Sequence, residues 1–326
     1  MEQILQNVPS AVIILLIGFL LLVKGADFFV EGSSSVAKRL KVPSIIIGLT
    51  IVAMGTSLPE TAVSVVASLQ GNNTLAISNV TGSNIFNLMA VIGLSAIMTP
   101  IEIQKESMKR DFHISIIATV LLIVFGISGM QLGHLEGLLL FILFAGFIYL
   151  MIQSALKARK AGKAVENEAI EDVEAVPLLP VVQCLSYIVG GMTGIIIGGE
   201  LVVDSATAIA TSFGLSQTLI GLTIVAIGTS LPELVTSVVA AKKNEVDMAL
   251  GNAIGSNIFN ILMVLGIAGV ISPLSFLIEN AFDLLILMAF SIIVWFIAWK
   301  KQGIDRKVGI GMTAAYIAYM VYICLR

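Results

Sequence analysis

Apolar residues fall in long unbroken runs along this chain, and polar residues collect in the short gaps between them. Ten runs can be read, at 9–37, 44–70, 75–98, 111–129, 135–156, 178–210, 217–241, 247–271, 282–299 and 308–325. A helix needs roughly 20 apolar residues to cross the hydrocarbon core of a bilayer, and each run is close to that length or longer. The runs do not alternate, which argues against a transmembrane β-barrel. The pattern predicts an all-α integral membrane protein with ten transmembrane helices.

Basic residues orient these runs. Of the 18 Lys and Arg residues, 16 follow odd-numbered runs: Lys38, Arg39 and Lys41; Lys105, Lys109 and Arg110; Lys157, Arg159, Lys160 and Lys163; Lys242 and Lys243; Lys300, Lys301, Arg306 and Lys307. The loops after even-numbered runs carry none. The positive-inside rule then places the odd loops in the cytoplasm and both termini outside it, in the cell (inner) membrane. No basic residue precedes Lys24, so the pattern predicts no cleaved secretory signal.

Composition narrows the function classes. The 326 residues are 57% hydrophobic and 12% charged, too apolar for a soluble enzyme, a disordered chain or a disulfide scaffold. Net charge is −3 with no dense basic tract, which excludes nucleic acid as a partner. His113 and His134 are too few for a metal cluster or proton relay, and Cys184 and Cys324 read as small buried hydrophobes. The segment 157–177 carries Glu166, Glu168, Glu171, Asp172 and Glu174. It reads as a solvated cytoplasmic linker and lacks the ligand spacing of an EF-hand. Trp295 and Trp299 read as interface anchors.

The chain contains an internal repeat. Residues 48–68, GLTIVAMGTSLPETAVSVVAS, match 221–241, GLTIVAIGTSLPELVTSVVAA, at sixteen of 21 positions and an offset of 173. The same offset aligns AISNVTGSNIFN (76–87) with ALGNAIGSNIFN (249–260), Asp27 with Glu200, and Glu31 with Asp204. Equivalent points are five runs apart, and five is odd, so the copies should cross the membrane in opposite directions. The expected organisation is two inverted five-helix repeats, 1–156 and 178–326, joined by the linker. Such repeats are a signature of secondary transporters, whose sites lie near the midplane on interrupted helices.

Each copy places Gly-Thr-Ser-Leu-Pro-Glu midway along an apolar run, at 55–60 and 228–233. Pro59 and Pro232 offer no N–H to the carbonyls of Gly55 and Gly228, so a kinked or unwound segment is expected at membrane depth. Glu60 and Glu233 add a carboxylate each. An ionised acid at the bilayer centre costs roughly 2.5–3.5 kcal/mol on insertion scales, and two acids brought together also repel. A bound cation removes both penalties. Carboxylate, carbonyl and hydroxyl oxygens suit Ca²⁺ or Na⁺, whereas zinc and copper would draw on His or Cys. The second motif, Gly-Ser-Asn-x-x-Asn, presents Ser83 with Asn87 on one helical face and Ser256 with Asn260 on another, and these could complete a coordination shell. Asn84, Asn257, Asn79 and Asn252 read as packing residues. Asp27, Glu31, Glu200 and Asp204 lie toward the ends of runs one and six. They read either as gating acids or as acids with local partners, Lys24 being one such partner for Asp27.

At these paired motifs the chain resembles the cation/calcium exchanger superfamily, specifically its prokaryotic sodium/calcium exchanger branch. The α-repeats of that family match 44–87 and 217–260. The resemblance implies antiport of Na⁺ against Ca²⁺ by alternating access through one shared site, with no cofactor and no enzymatic activity. Calcium would be held by Glu60, Glu233 and the carbonyls of Thr56 and Thr229. Sodium would use the Ala53 carbonyl with Thr56 and Ser57, and the Ala226 carbonyl with Thr229 and Ser230. Ser83 and Ser256 would add further oxygens, and spans one and six would slide across the rest. Some members, including potassium-dependent ones, carry Asp where this chain has Asn260. With both Asn87 and Asn260 neutral, potassium co-transport is not expected. The residues leave three rivals: a proton-coupled exchanger of Ca²⁺ or another divalent, an ion channel using the same oxygens, and a membrane enzyme, for which no nucleophile–base pairing or cofactor motif appears.

Overall fold

The computed structural model describes residues 7–71, 73–160, 179–214 and 226–325, without the side chains of residues 105–107 and 226. The described residues are mostly helical. The first half contains α1 (Val8–Leu40), α2 (Ser44–Thr56), α3 (Leu58–Leu69), α4 (Leu75–Met98), α5 (Lys105–Gly129) and α6 (His134–Lys160). The second contains α7 (Val181–Ser212), α8 (Ala226–Gly228), α9 (Leu231–Lys242), α10 (Val246–Ile271), α11 (Ile278–Lys301) and α12 (Arg306–Leu325). Among the described residues, eight helices are long and apolar enough to cross a membrane, and α2 with α3 form a further pair bent by 47°. The beginning of the seventh predicted run, 217–225, lies outside the described residues, as do 161–178, which hold most of the acidic linker.

Two helices form the hub. In α4 and in α10, 83% of the apolar stretch is buried, against 22–33% in the other six long helices. Both carry the Gly-Ser-Asn motif, and small residues let backbones close up where apolar surface alone gives no drive to associate in lipid. At Gly251 of α10 an added Cβ would lie 2.6 Å from the carbonyl oxygen of Ile45 in α2. Outside the hub, α1 and α7 cross along most of their length. A Cβ at Gly191 would lie 2.7 Å from the Gly25 carbonyl oxygen and 2.6 Å from the Phe29 nitrogen.

Departures from ideal helix recur in both copies. A π-helical turn occupies Asn87–Val91 in α4 and Asn260–Val264 in α10, 173 residues later. Left-handed residues end helices at Lys41 and at its equivalent Gly214, and at Gly71 and its equivalent Asn244. Short ladders tie the loops. β1 (Ile101–Glu102) pairs antiparallel with β4 (Gly303–Ile304), and β2 (Gln131–Leu132) pairs with β3 (Leu274–Ser275). Because α5 runs from β1 to β2, the two ladders close opposite ends of the bundle.

The two ends are not packed alike. The end of α1 lies along α9, and Ala26, Phe29, Val30 and Ala37 share a buried cluster with Ala240, Ala241 and Met248. Among the described residues the equivalent helix α7 makes no comparable contact with α3. Met248 is 0% exposed, while its first-copy equivalent Leu75 is 43% exposed.

Two expectations need correction. Cys184 is buried, but Cys324 is exposed near the end of α12. Lys24 has no ion-pair partner among the described residues; the cation beside Asp27 is Lys243, whose Nζ lies 2.8 Å from Oδ1.

Substituting Gly191 by Val forces α1 and α7 apart at a backbone-to-backbone contact. Overpacking of this kind costs about 1–3 kcal/mol, so Gly191→Val should lower the thermal midpoint in detergent by several degrees. Gly146→Val should not, since nothing lies within 4 Å of a Cβ there. Differential scanning fluorimetry compares the two.

Candidate cation-binding site

The site begins where a helix stops. Thr56 ends α2, Ser57 leaves helical geometry with φ −84° and ψ 11°, and α3 starts at Leu58. The kinked or unwound segment expected from the sequence takes the form of a break at Ser57 between two helices bent by 47°. Pro59 sits in the first turn of α3, where its missing N–H is one that would have no intrahelical partner anyway. The second copy repeats this, with Ser230 at φ −96° and ψ 7° and Pro232 in the first turn of α9. Restarting the helix puts Glu60 and Glu233 in first turns, where free N–H groups and the helix dipole favour an anion.

The copies exchange donors across the centre. Ser57 Oγ donates to Glu233 Oε1 at 3.0 Å, and Ser230 Oγ donates to Glu60 Oε1 at 2.9 Å. Each acid also has a hydroxyl from its own copy: Ser83 Oγ lies 3.5 Å from Glu60 Oε1, and Ser256 Oγ lies 3.3 Å from Glu233 Oε1. Ser230 Oγ lies 2.9 Å from Ser83 Oγ, which joins the two sets. Glu60, Glu233, Ser57, Ser230, Ser256, Asn87 and Asn260 are all 0% exposed.

Among the described residues the second oxygen of each carboxylate has no donor. Glu60 Oε2, Glu233 Oε2, Thr229 Oγ1, Asn260 Oδ1 and both polar atoms of the Asn87 side chain are buried without a hydrogen-bond partner among the described residues. Buried polar atoms are nearly always satisfied, and an unsatisfied one costs about 1–3 kcal/mol. Each carboxylate brings one such oxygen, and a cation fits as their missing partner. The described residues contain no cluster of three or more His, Cys, Asp and Glu. The donor set is two carboxylates with neutral hydroxyl and amide oxygens, the chemistry of Ca²⁺ and Na⁺.

The remaining candidates have other partners or places in the fold. Thr56 Oγ1 donates to Asn252 Oδ1 at 3.0 Å. The Ala53 carbonyl accepts from Ser57 N at 3.0 Å, and Ala226 opens the short helix α8. Asn84 Nδ2 donates to the Asn257 carbonyl at 3.2 Å, and Asn257 Nδ2 donates to the Asn84 carbonyl at 3.1 Å, a reciprocal clasp between α4 and α10. Asn260 Nδ2 also donates to Asn84 Oδ1 at 3.1 Å. Sequence reasoning passed over Ser64 and Ser237. Asn79 Nδ2 donates to Ser64 at 3.3 Å and Asn252 Nδ2 to Ser237 at 2.9 Å, and the two serines are 173 residues apart, a signal the repeat already carried.

The arrangement has known counterparts. The family model described as "Sodium/calcium exchanger protein" matches residues 10–153 and 184–325. The chain belongs to the sodium/calcium exchanger family. It is 33% identical over 318 residues to the inner membrane protein YrbG of Escherichia coli, with 95% of each chain covered. It is 33% identical over 346 residues to the sodium/calcium exchanger MaX1 of Methanosarcina acetivorans, covering 95% of this chain and 97% of that one. Among solved structures, the sodium-calcium exchanger NCX_Mj soaked with Na⁺ and Sr²⁺ superposes with a TM-score of 0.81 at 35% identity, covering 97% and 99% of the two chains. This exchanger is therefore a multi-pass membrane protein of the prokaryotic branch of the cation/calcium exchangers, a family of transporters.

The asparagines of the exchanger separate by their bonds. Asn84→Ala deletes two side-chain bonds in the hub and should cost about 1–3 kcal/mol of stability. Asn87→Ala deletes none made within the described residues and should cost clearly less. Denaturation in matched detergent, without divalent cations, distinguishes the two variants.

Proposed function

We propose that this chain exchanges Na⁺ for Ca²⁺ across the cell membrane by alternating access through one central site. The observation that carries this reading is the pair of fully buried carboxylates, each fixed on one oxygen by a serine of the other copy and bare on the second. Glu60 and Glu233 bind one dehydrated Ca²⁺ with the carbonyls of Thr56 and Thr229. Sodium ions take the Ala53 carbonyl, Thr56 and Ser57 on one side, and the Ala226 carbonyl, Thr229 and Ser230 on the other. Ser83, Ser256, Asn87 and Asn260 complete the shells. The two loads compete for the same oxygens, and that competition couples the fluxes. With both acids bare, the chain would carry unpaired charge through low dielectric, so empty reorientation is disfavoured and exchange is enforced.

Alternating access rests on inversion of the two halves, 1–156 and 178–326. The ladders support it, since the loop after the third run pairs with the loop after the ninth, and the loop after the fourth with that after the eighth. Both loops of the β1–β4 ladder adjoin the basic clusters. The positive-inside rule then puts that end in the cytoplasm and both termini outside. The unequal packing of the two ends, tight along α1 and α9 and loose at α3, is what one of two access states looks like in an inverted repeat.

Reconstituted protein in sodium-loaded liposomes should take up ⁴⁵Ca²⁺ when external sodium is diluted. Glu60→Gln or Glu233→Gln should each lower that uptake at least tenfold, on the order of the cost of removing one partner from a buried charge set. Uptake driven equally well by a pH gradient without sodium would favour proton coupling, and uptake indifferent to either variant would refute the site.

A further inference from the structure

The packing difference between the two ends has a charged component that the duplication does not share. Lys243 follows α9, and its Nζ lies 2.8 Å from Asp27 Oδ1, 3.1 Å from the Asp27 carbonyl and 3.5 Å from Glu31 Oε2, all on α1. Two residues on, the buried carboxylate of Glu245 accepts from Ser34 Oγ of α1. One short segment thus ties the end of α1 to the end of α9 through an ammonium and a carboxylate. Its first-copy equivalents differ. The residue aligned with Lys243 is the neutral Gln70. The acids aligned with Asp27 and Glu31, Glu200 and Asp204, are exposed and make no hydrogen bond or ion pair among the described residues.

We infer that Lys243 is a positioning residue for exchange: it latches α1 onto α9 and so favours the state closed at its own end over the state closed at the opposite end. The inference rests on the antiport reading above. Inversion alone would make the two access states near equivalents. An ion pair made only in one of them lowers the free energy of that state, while the opposite closure would bring Glu200 and Asp204 against Gln70 with no cation between them. A cation arriving at the end carrying Lys243 binds only the fraction of molecules open there, so its apparent affinity is weakened by that fraction. The latch therefore makes the two faces unequal in apparent affinity while the ligands at the centre stay the same.

The test measures apparent KM for Ca²⁺ on each face, using right-side-out and inside-out membrane vesicles containing the full chain. Lys243→Gln should lower KM on the face carrying Lys243 and raise it on the other. The ratio should move by roughly threefold to tenfold, as expected for a partly exposed ion pair with two acids. Flux with both faces saturated should stay within about twofold. Lys243→Arg should keep the wild-type ratio. Gln70→Lys, which supplies a cation for Glu200 and Asp204, should shift the ratio in the same direction as Lys243→Gln, and it decides the matter if Lys243→Gln does not fold. A merely structural Lys243 would change protein yield or saturated flux without moving the two KM values in opposite senses. Sodium-dependent Ca²⁺ flux in wild type with an unmoved ratio in the folded variants would overturn the latch. Absence of such flux in wild type would instead overturn the antiport reading itself.

Discussion

Two carboxylates at membrane depth are the constraint around which this chain is built. Alone in hydrocarbon, each would cost several kcal/mol when ionised, and together they would repel. The protein meets this in three ways. A helix restarts at each acid, so that Glu60 and Glu233 sit in first turns. A serine from each copy reaches the other copy's acid, and a second serine comes from α4 or α10. The second oxygen of each carboxylate has no donor among the described residues, and in the proposed exchange it takes the cation that is the cargo.

The rest of the fold follows from placing these groups. The centre must be closely packed and yet polar, so the most buried helices are those with Gly, Ser and Asn on their surfaces. The Asn84–Asn257 clasp fixes α4 against α10. The π-helical turns start at the fully buried Asn87 and Asn260, and such turns often occur at functional positions. Outside this hub, α1 and α7 hold each other by backbone contact at glycines and touch the rest of the bundle unequally at the two ends.

Much of this was legible in the sequence because the governing forces act locally. Hydrophobic run length marks spans, and the duplication of GTSLPE marks a site whose cost had to be offset twice. The prolines signalled the helix break and left its form, kinked or unwound, open. Pro59 tolerates a first turn better than a helix interior, so the chain begins a new helix there. The crosswise serines could not be read, since which copy supplies the donor depends on how the halves dock. Lys243 was hidden for the same reason. In sequence it is one more basic loop residue, and its nearest acid by position is not Asp27. Lys24 looked like the partner of Asp27 because it is three residues away, but helix α1 turns it toward the outside.

In the proposed exchange, acids from both copies hold one and the same ion. Calcium binding to the purified protein by isothermal titration in sodium-free detergent tests this directly. One Ca²⁺ per chain is expected at the high-affinity site, displaced by sodium and lost whether Glu60 or Glu233 alone is changed to Gln. Two equal sites in wild type, with each single substitution removing one and sparing the other, would contradict it.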